Sequence, residues 1–514
     1  MAGSNLGTPG LSEPGVPRRG GILREGFDYD FSRVDPAGGA HVDPPWCAIY
    51  ETALVFDENS RPGPMLVDRW RVDEDLLTWR LHVRRAARFQ TGARCDARAV
   101  AAAFDLHRDK VASPVNQFFW RPVRDVSVDG EDVLIHLRHP YAGLPTLLRS
   151  WHSAIHDQAS RLSSGDEWGW ETAIGSGPFR FQELVPGSHL DVRRWAEYPG
   201  SAVEWFANRG SAHLDGIRWV ALRDEDRRAA ALEDGVVDCV QNPSLLHVDR
   251  LAHNPDFRVI EYQQSALAYL ALDHQTTQYG FHDVRVRRAF SWAIDRAHLV
   301  QQDLRGHGWA ADGPVPSASP WYDPEVERVA RFDPNGACRL LDEAGFLAGP
   351  DGIRMTVPTI VVEDATLHRV TNSLTEMLAR IGVRLEVERI AGFAAFYTAA
   401  AAHPPAFISK WLWPDPVDAI IGFVDSRSHA GPNWQRASVP AIDAACDAWT
   451  TAPGEAEQRG AAERIQRACA EHLPLLPLYA PAAVWAHHKR VRGWRPMAAN
   501  LYPLYNDVWL DADA

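Results

Sequence analysis

Several groups of side chains in this sequence could do chemistry, and each lacks a partner that the chemistry requires. His152 and His156 stand four apart, a spacing that sets two imidazoles on one helix face; the glutamate of an H-E-x-x-H zinc site is missing, because Ser153 stands there. Gly175-Ser176-Gly177 is not a G-x-S-x-G elbow, and Pro178 follows at once, so Ser176 reads as a turn entering a strand. His487-His488 would point to opposite faces of a strand. The six cysteines lie far apart with no C-x-x-C pair, which supports neither a zinc ribbon nor a redox motif. They read as reduced, mostly buried thiols. No Walker A or dinucleotide fingerprint occurs. Asp166-Glu167 reads as solvated surface. No catalytic residue, metal site or cofactor is assigned. Aromatic chemistry remains, above all Trp411 and Trp413 on either side of Leu412, flat apolar faces that each carry one donor.

The elements that must position these residues are legible from periodicity. Gly20-Gly21 starts a strand at Ile22 that reads as an edge strand. Trp79, Leu81 and Val83 alternate with polar residues, the mark of a half-buried strand. Val126 to Val128 and Val133 to Leu137 flank Asp129-Gly130 as a hairpin. Asp96 to Arg108 forms a helix with Val100, Phe104 and His107 on one face. Asp283 caps a helix striped by Val286, Ala289, Phe290 and Ala293. Asp333-Pro334 opens another helix, which Gly345 ends. Thr366 to Ile381 is a further helix stopped by Gly382, and a strand with alternating Val383, Leu385 and Val387 follows it. Glu455 to His472 ends before Leu473-Pro474. Helices alternating with strands over this length predict α/β lobes with mixed sheets.

Composition narrows the classes. The 514 residues carry a net charge of −14, against the basic face that a nucleic-acid binder needs. No stretch approaches the ~18 consecutive apolar residues of a membrane helix, so no membrane insertion is expected. Met1 to Gly21 is rich in Gly, Pro and Ser and has neither the basic start nor the apolar run of a secretory signal. Localisation therefore stays open: cytoplasmic from that absence, or extracytoplasmic if the true start or signal is missing.

About ten short segments, in order along nearly the whole chain, resemble the family 5 extracellular solute-binding proteins, the peptide, nickel and oligosaccharide receptors of ABC importers. They include Gly20-Gly21-Ile22-Leu23-Arg24, Ile49-Tyr50-Glu51-Thr52-Ala53-Leu54 and Leu66-Val67-Asp68-Arg69-Trp70. Further along come Arg88-Phe89-Gln90-Thr91-Gly92, Gly175-Ser176-Gly177-Pro178-Phe179 and Ala231-Leu232-Glu233-Asp234-Gly235. The most specific is Asp283-Val284-Arg285-Val286-Arg287-Arg288-Ala289, which runs into Ala293-Ile294-Asp295-Arg296; Pro414-Asp415-Pro416 comes later. The resemblance implies a two-lobed periplasmic-binding-protein-like α/β fold (type II, cluster C) with mixed sheets and a hinge. A flexible lead over 1–19 would precede lobe I at 20–269, which includes a subdomain at about 57–174. Lobe II would span 270–478, and 479–514 would return to lobe I.

The resemblance also implies a ligand held between lobes, which shifts the population toward closure. The segment around Trp411 to Pro416 lines the cleft in family members. Peptide receptors carry an acidic residue three before the Asp of this Asp-Pro, where it pairs with an α-amino group; here that position is Leu412. Nickel receptors tend to carry His after the Asp-Pro, where Val417 stands. A neutral or aromatic ligand fits such a site better than a free amine or a metal complex. The candidate ligand-binding residues are Tyr50, Glu51, Phe118, Phe119, Trp120, Gln241, Asn242, Trp411, Leu412, Trp413, Asp415, Asn433 and Trp434. For each the alternative is structural: core packing for the rings, a loop cap for Tyr50 and Glu51, ordering of its own turn for Asp415. The expected partners are a small-molecule ligand and an ABC permease, with the chain a monomer. The competing reading is a cytosolic carrier or enzyme for a biosynthetic intermediate on the same scaffold.

Overall fold

The computed structural model describes residues 15–512, apart from 28–32, 39–43, 58–60, 110–113, 142, 312, 327–330, 413–415, 429–431, 453 and 496–502. The chain divides into two units. Unit 1 comprises Met1–Tyr262 and Ala483–Ala514, and unit 2 comprises Gln263–Ala482. The lead before residue 15 lies outside the described residues.

In unit 1 the strand Ile22–Phe27 pairs in parallel with both Gly216–Ala221 and Cys239–Gln241. It is therefore an interior strand, which corrects the edge-strand expectation. The two glycines set its start, but register on both sides and near-complete burial after Ile22 place it centrally. His189–Arg194 and Phe179–Val185 extend the sheet antiparallel on one side. The end of Leu476–His488 pairs antiparallel with Cys239–Gln241 on the other. A second sheet of four antiparallel strands holds Val67–Val72, Thr78–Val83, Asp132–Leu137 and Val123–Asp129 in that order. Gly130 takes φ 63° at its hairpin turn, a conformation glycine adopts without strain. The helix Ala97–Arg108 covers this sheet, with Asp96 accepting from the Arg98 and Ala99 amides at 3.1 Å.

In unit 2 the strand Met355–Val362 runs parallel to Val383–Ile390 and to Ala406–Leu412. Ala406–Leu412 pairs antiparallel with Ala266–Leu272, which pairs in turn with the start of Leu476–His488. Every residue of Ala266–Leu272 is buried, as a strand with neighbours on both edges and packing on both faces must be. Helices Val284–Ala293, Pro334–Glu343 and Ala365–Ala379 each begin at a capping aspartate: Asp283, Asp333 and Asp364. Gly345 and Gly382 follow two of them with φ near 80–90°. Glu455–His472 ends at Leu473, also left-handed.

Candidate functional site

Unit 1 places its candidate residues largely in its own interior. The backbone N–H of Tyr50 caps the short helix Trp46–Ile49, and its hydroxyl donates to the Val34 carbonyl at 2.8 Å. It is fully buried in the main core. Glu51 is buried beside it, and its Oε1 accepts from the Tyr198 hydroxyl at 2.7 Å and faces an Arg84 nitrogen at 3.5 Å. Burial pushes the Glu51 carboxyl up, and Arg84 and Tyr198 oppose the rise. Neither Arg84 nor Tyr198 was legible as its partner, because Tyr198 is 147 positions away.

Trp120 is buried; its indole donates to the His152 carbonyl at 3.3 Å and its ring lies 4.9 Å from Phe104. Phe119 is half-buried with its ring 5.5 Å from His152. The side chain of Phe118 lies outside the described residues. Gln241 sits in the strand pair with Trp485. Asn242 adopts φ 45°; its amide donates to the Val484 carbonyl at 2.7 Å and its own carbonyl accepts from Arg228.

His152 and His156 engage different partners, His156 Nε2 lying 3.0 Å from Gln158 Oε1. His152 instead reaches Asn116 Oδ1 at 2.9 Å, Asn116 Nδ2 lies 2.9 Å from His107 Nδ1, and His107 Nε2 meets the Ala154 carbonyl at 3.0 Å. With Nε2 donating, Nδ1 must accept, so this chain holds His107 as a neutral imidazole. Burial, the largest effect, and the neighbouring His156 push its pKa down to about 3. The unfolded chain then takes up the proton first. His107 therefore contributes stability that is complete above pH 6.5 and is lost as pH falls toward 3. The expected loss from this residue is about 2 kcal/mol between pH 6.5 and 5. Urea unfolding at pH 7 and 5 checks it, read as the difference between the wild type and His107→Gln, because other groups also titrate. Equal pH dependence in the two proteins would refute it.

In unit 2, Trp411 is 5 % exposed and stacks on Phe423 at 6.4 Å, in register with Leu267. Leu412, the next residue, is 39 % exposed and pairs with Ala266 at the end of its strand. Trp413 and Asp415 lie outside the described residues. Asn433 is fully buried: its Nδ2 donates to the carbonyls of Asp425 and Ala437 at 2.9 Å, and its Oδ1 accepts from the Ala437 amide. Those three bonds tie its own loop. Trp434 is half-buried against Tyr397 at 5.3 Å and Phe407 at 6.3 Å.

Trp411 and Leu412 thus share one strand end, whereas Trp434 packs near Phe407 at the start of that strand. Sequence reasoning passed over Lys410, whose Nζ lies 2.7 Å from Asp364 at the cap of Ala365–Ala379. Its rarity as one of three lysines was the available signal. Glu183, His189 and Asp191 bring ligand atoms within 4.8 Å of one another on one hairpin. Arg218 already forks onto Asp191 at 2.7 and 2.6 Å, so the positive charge is supplied by protein.

Two mixed α/β units that the chain crosses between twice, at 262/263 and 482/483, are the build of a two-lobed periplasmic binding protein. Solved structures share this fold. The ABC transporter-associated periplasmic binding protein DppA from Helicobacter pylori, in complex with peptide STSA, superposes with a TM-score of 0.80 at 20 % identity, covering 96 % of this chain and 98 % of its own. The binding protein AgaA from A. tumefaciens R10, in complex with agropinic acid, gives 0.80 at 18 %, covering 96 % and 99 %. Residues 61–431 match the model of the bacterial extracellular solute-binding proteins, family 5, and the chain belongs to that family. The glutathione-binding protein GsiB of Salmonella choleraesuis is 25 % identical over 352 residues, or 66 % of this chain. The match spans 63 % of that relative's length. The family and these relatives are binding proteins. Among the described residues, no helix is long and apolar enough to cross a membrane.

Proposed function

We propose that this chain is the solute-binding component of an ABC importer and captures a small organic ligand by hinge closure, as a monomer that delivers its load to a permease. Family membership over residues 61–431 carries the reading. Glutathione, a short peptide and agropinic acid, the ligands of three relatives, are small organic molecules, while other solved relatives hold nickel–histidine complexes. Leu412 narrows the class. An ammonium brought against this exposed apolar side chain finds no carboxylate there, and an uncompensated charge in a desolvated site costs several kcal/mol. A peptide-like ligand without a free amine at this point, a sugar or an aromatic natural product suits the position.

A thermal-shift screen over acylated and free peptides, oligosaccharides and aromatic natural products tests the reading. A bound compound at 100 times its Kd is expected to add about 2.7 kcal/mol of stability. The same compound should shrink the radius of gyration in small-angle scattering. A panel without a single stabilising compound, or binding without any change in scattering, would count against capture by closure.

A further inference from the structure

Glu25 lies in the central strand of unit 1 and is 0 % exposed. Its neighbours in register are Trp219 on one side and Cys239 on the other, and Cys239 is followed across the sheet by His487. Side chains in register share a face, so a carboxyl, a thiol and an imidazole stand in a row under one cover. The Tyr505 hydroxyl donates to Glu25 Oε2 at 3.1 Å and accepts from the Trp219 indole at 3.3 Å. Glu25 Oε1 is buried with no hydrogen-bond partner, and Gln241 Oε1, His487 Nε2, Trp494 Nε1 and Asn506 Nδ2 in the same unit share that condition.

No described cation answers the carboxylate. Arg24, next in the strand, turns to the opposite face and forks onto Asp238 at 3.1 and 3.0 Å, where Arg490 joins it. Arg492 pairs with Asp511 at 3.6 Å. Burial holds His487 neutral, with its pKa pushed down to about 4. Among the described residues the other titratable groups that interact with Glu25 and Tyr505 are Cys239 and Cys47, and burial holds the Cys239 and Tyr505 protons on. A carboxylate in this setting would have one donor and no counter-ion, an arrangement that favours the neutral acid.

We infer that Glu25 is a proton-dependent latch: as a neutral acid it seats Tyr505 and the C-terminal segment around it on the sheet of unit 1, and its ionisation loosens that segment. The strands on either side of Glu25, Gly216–Ala221 and Cys239–Gln241, are fixed by backbone pairing. The irregular stretch that carries Tyr505 and Asn506 is the side through which water can reach a new charge. The direction of the titration agrees, since burial pushes the carboxyl up to about 8 and Tyr505 only partly opposes it. Its folded value lies above the unfolded one. The stability it confers is therefore complete below pH 4.5 and is lost as pH rises through 8.

The test compares the full-length wild type with Glu25→Gln and Tyr505→Phe between pH 5.5 and 9. Relative to Glu25→Gln, the folded-to-unfolded ratio of the wild type is expected to fall about tenfold per pH unit up to pH 8. Amide exchange across residues 503–510, corrected for intrinsic rates, should accelerate in the wild type above pH 8 and stay flat in Glu25→Gln. Parallel pH profiles and exchange in the two proteins would overturn the latch. Should Glu25→Gln fail to fold, infrared spectra of the wild type and Tyr505→Phe decide. The band of a protonated carboxylic acid should persist at pH 7 and vanish by pH 10, and at higher pH still in Tyr505→Phe. A wild type with no such band at pH 7, or a Tyr505→Phe protein that titrates with it, refutes the idea.

Discussion

Replacing Arg296 with methionine is expected to cost unit 2 about 3–5 kcal/mol of stability, among the largest effects of any single substitution. The side chain is 2 % exposed, and its guanidinium is spent on the backbone. Its Nε donates to the Pro477 carbonyl at 2.7 Å, and Nη1 and Nη2 donate to the Ser291 carbonyl and hydroxyl at 3.0 Å. These bonds join the end of helix Val284–Ala293 to the strand Leu476–His488, more than 180 residues later. Methionine keeps much of the stem's volume and deletes every donor, so the loss reports buried carbonyls left without partners rather than a cavity. Arg287 is built alike, donating to Leu473 and His472 at 3.0 and 2.5 Å, with burial pulling its guanidinium down to about 10. Urea unfolding followed by fluorescence should show the transition of unit 2 shifting while that of unit 1 stays in place. A change under ~1 kcal/mol would mean that these carbonyls find water instead.

Replacing Arg84 with alanine is expected to cost unit 1 about 3–5 kcal/mol at neutral pH, because it strands a buried carboxylate. Arg84 Nη1 also donates to the Gly200 carbonyl at 2.5 Å, so that acceptor is orphaned as well. Without Arg84, Glu51 keeps the Tyr198 hydroxyl and loses its counter-charge. Its carboxyl, already raised by burial, should rise further. A raised folded value makes stability fall as pH increases, so the penalty should be smaller at pH 5.5 than at pH 7.5. The double variant Glu51→Gln/Arg84→Met removes both charges and should recover most of the loss. Equal stability of the single and double variants would show that the pair is not the source.

The helix after Asp283 was legible as capped and amphipathic, because Asp283 and the stripe of Val286, Ala289, Phe290 and Ala293 are local signals. The two arginines gave no local reason for their presence, since their acceptors belong to Leu473 and Pro477. The same division holds for the candidate site. Tyr50 and Glu51 were candidates through the resemblance, yet a cleft role and a loop cap predict the same residues at that point. Trp411 and Leu412 alternate along a strand and so face opposite ways, which explains why one is buried and the other open.

Capping aspartates, turn glycines and the period of apolar residues act within a few positions, so helices, hairpins and the α/β class could be read directly from the chain. Strand order obeys no such local rule. Ile22–Phe27 reads like an edge because its own residues cannot say that Gly216–Ala221 and Cys239–Gln241 will flank it. Ion pairs such as Glu51 with Arg84, the histidine chain through Asn116, and the contact of Glu25 with Tyr505 join residues that are 33, 36 and 480 positions apart. Folding brings such groups together, and only in that shared low-dielectric interior do their charges and protons acquire the values that matter.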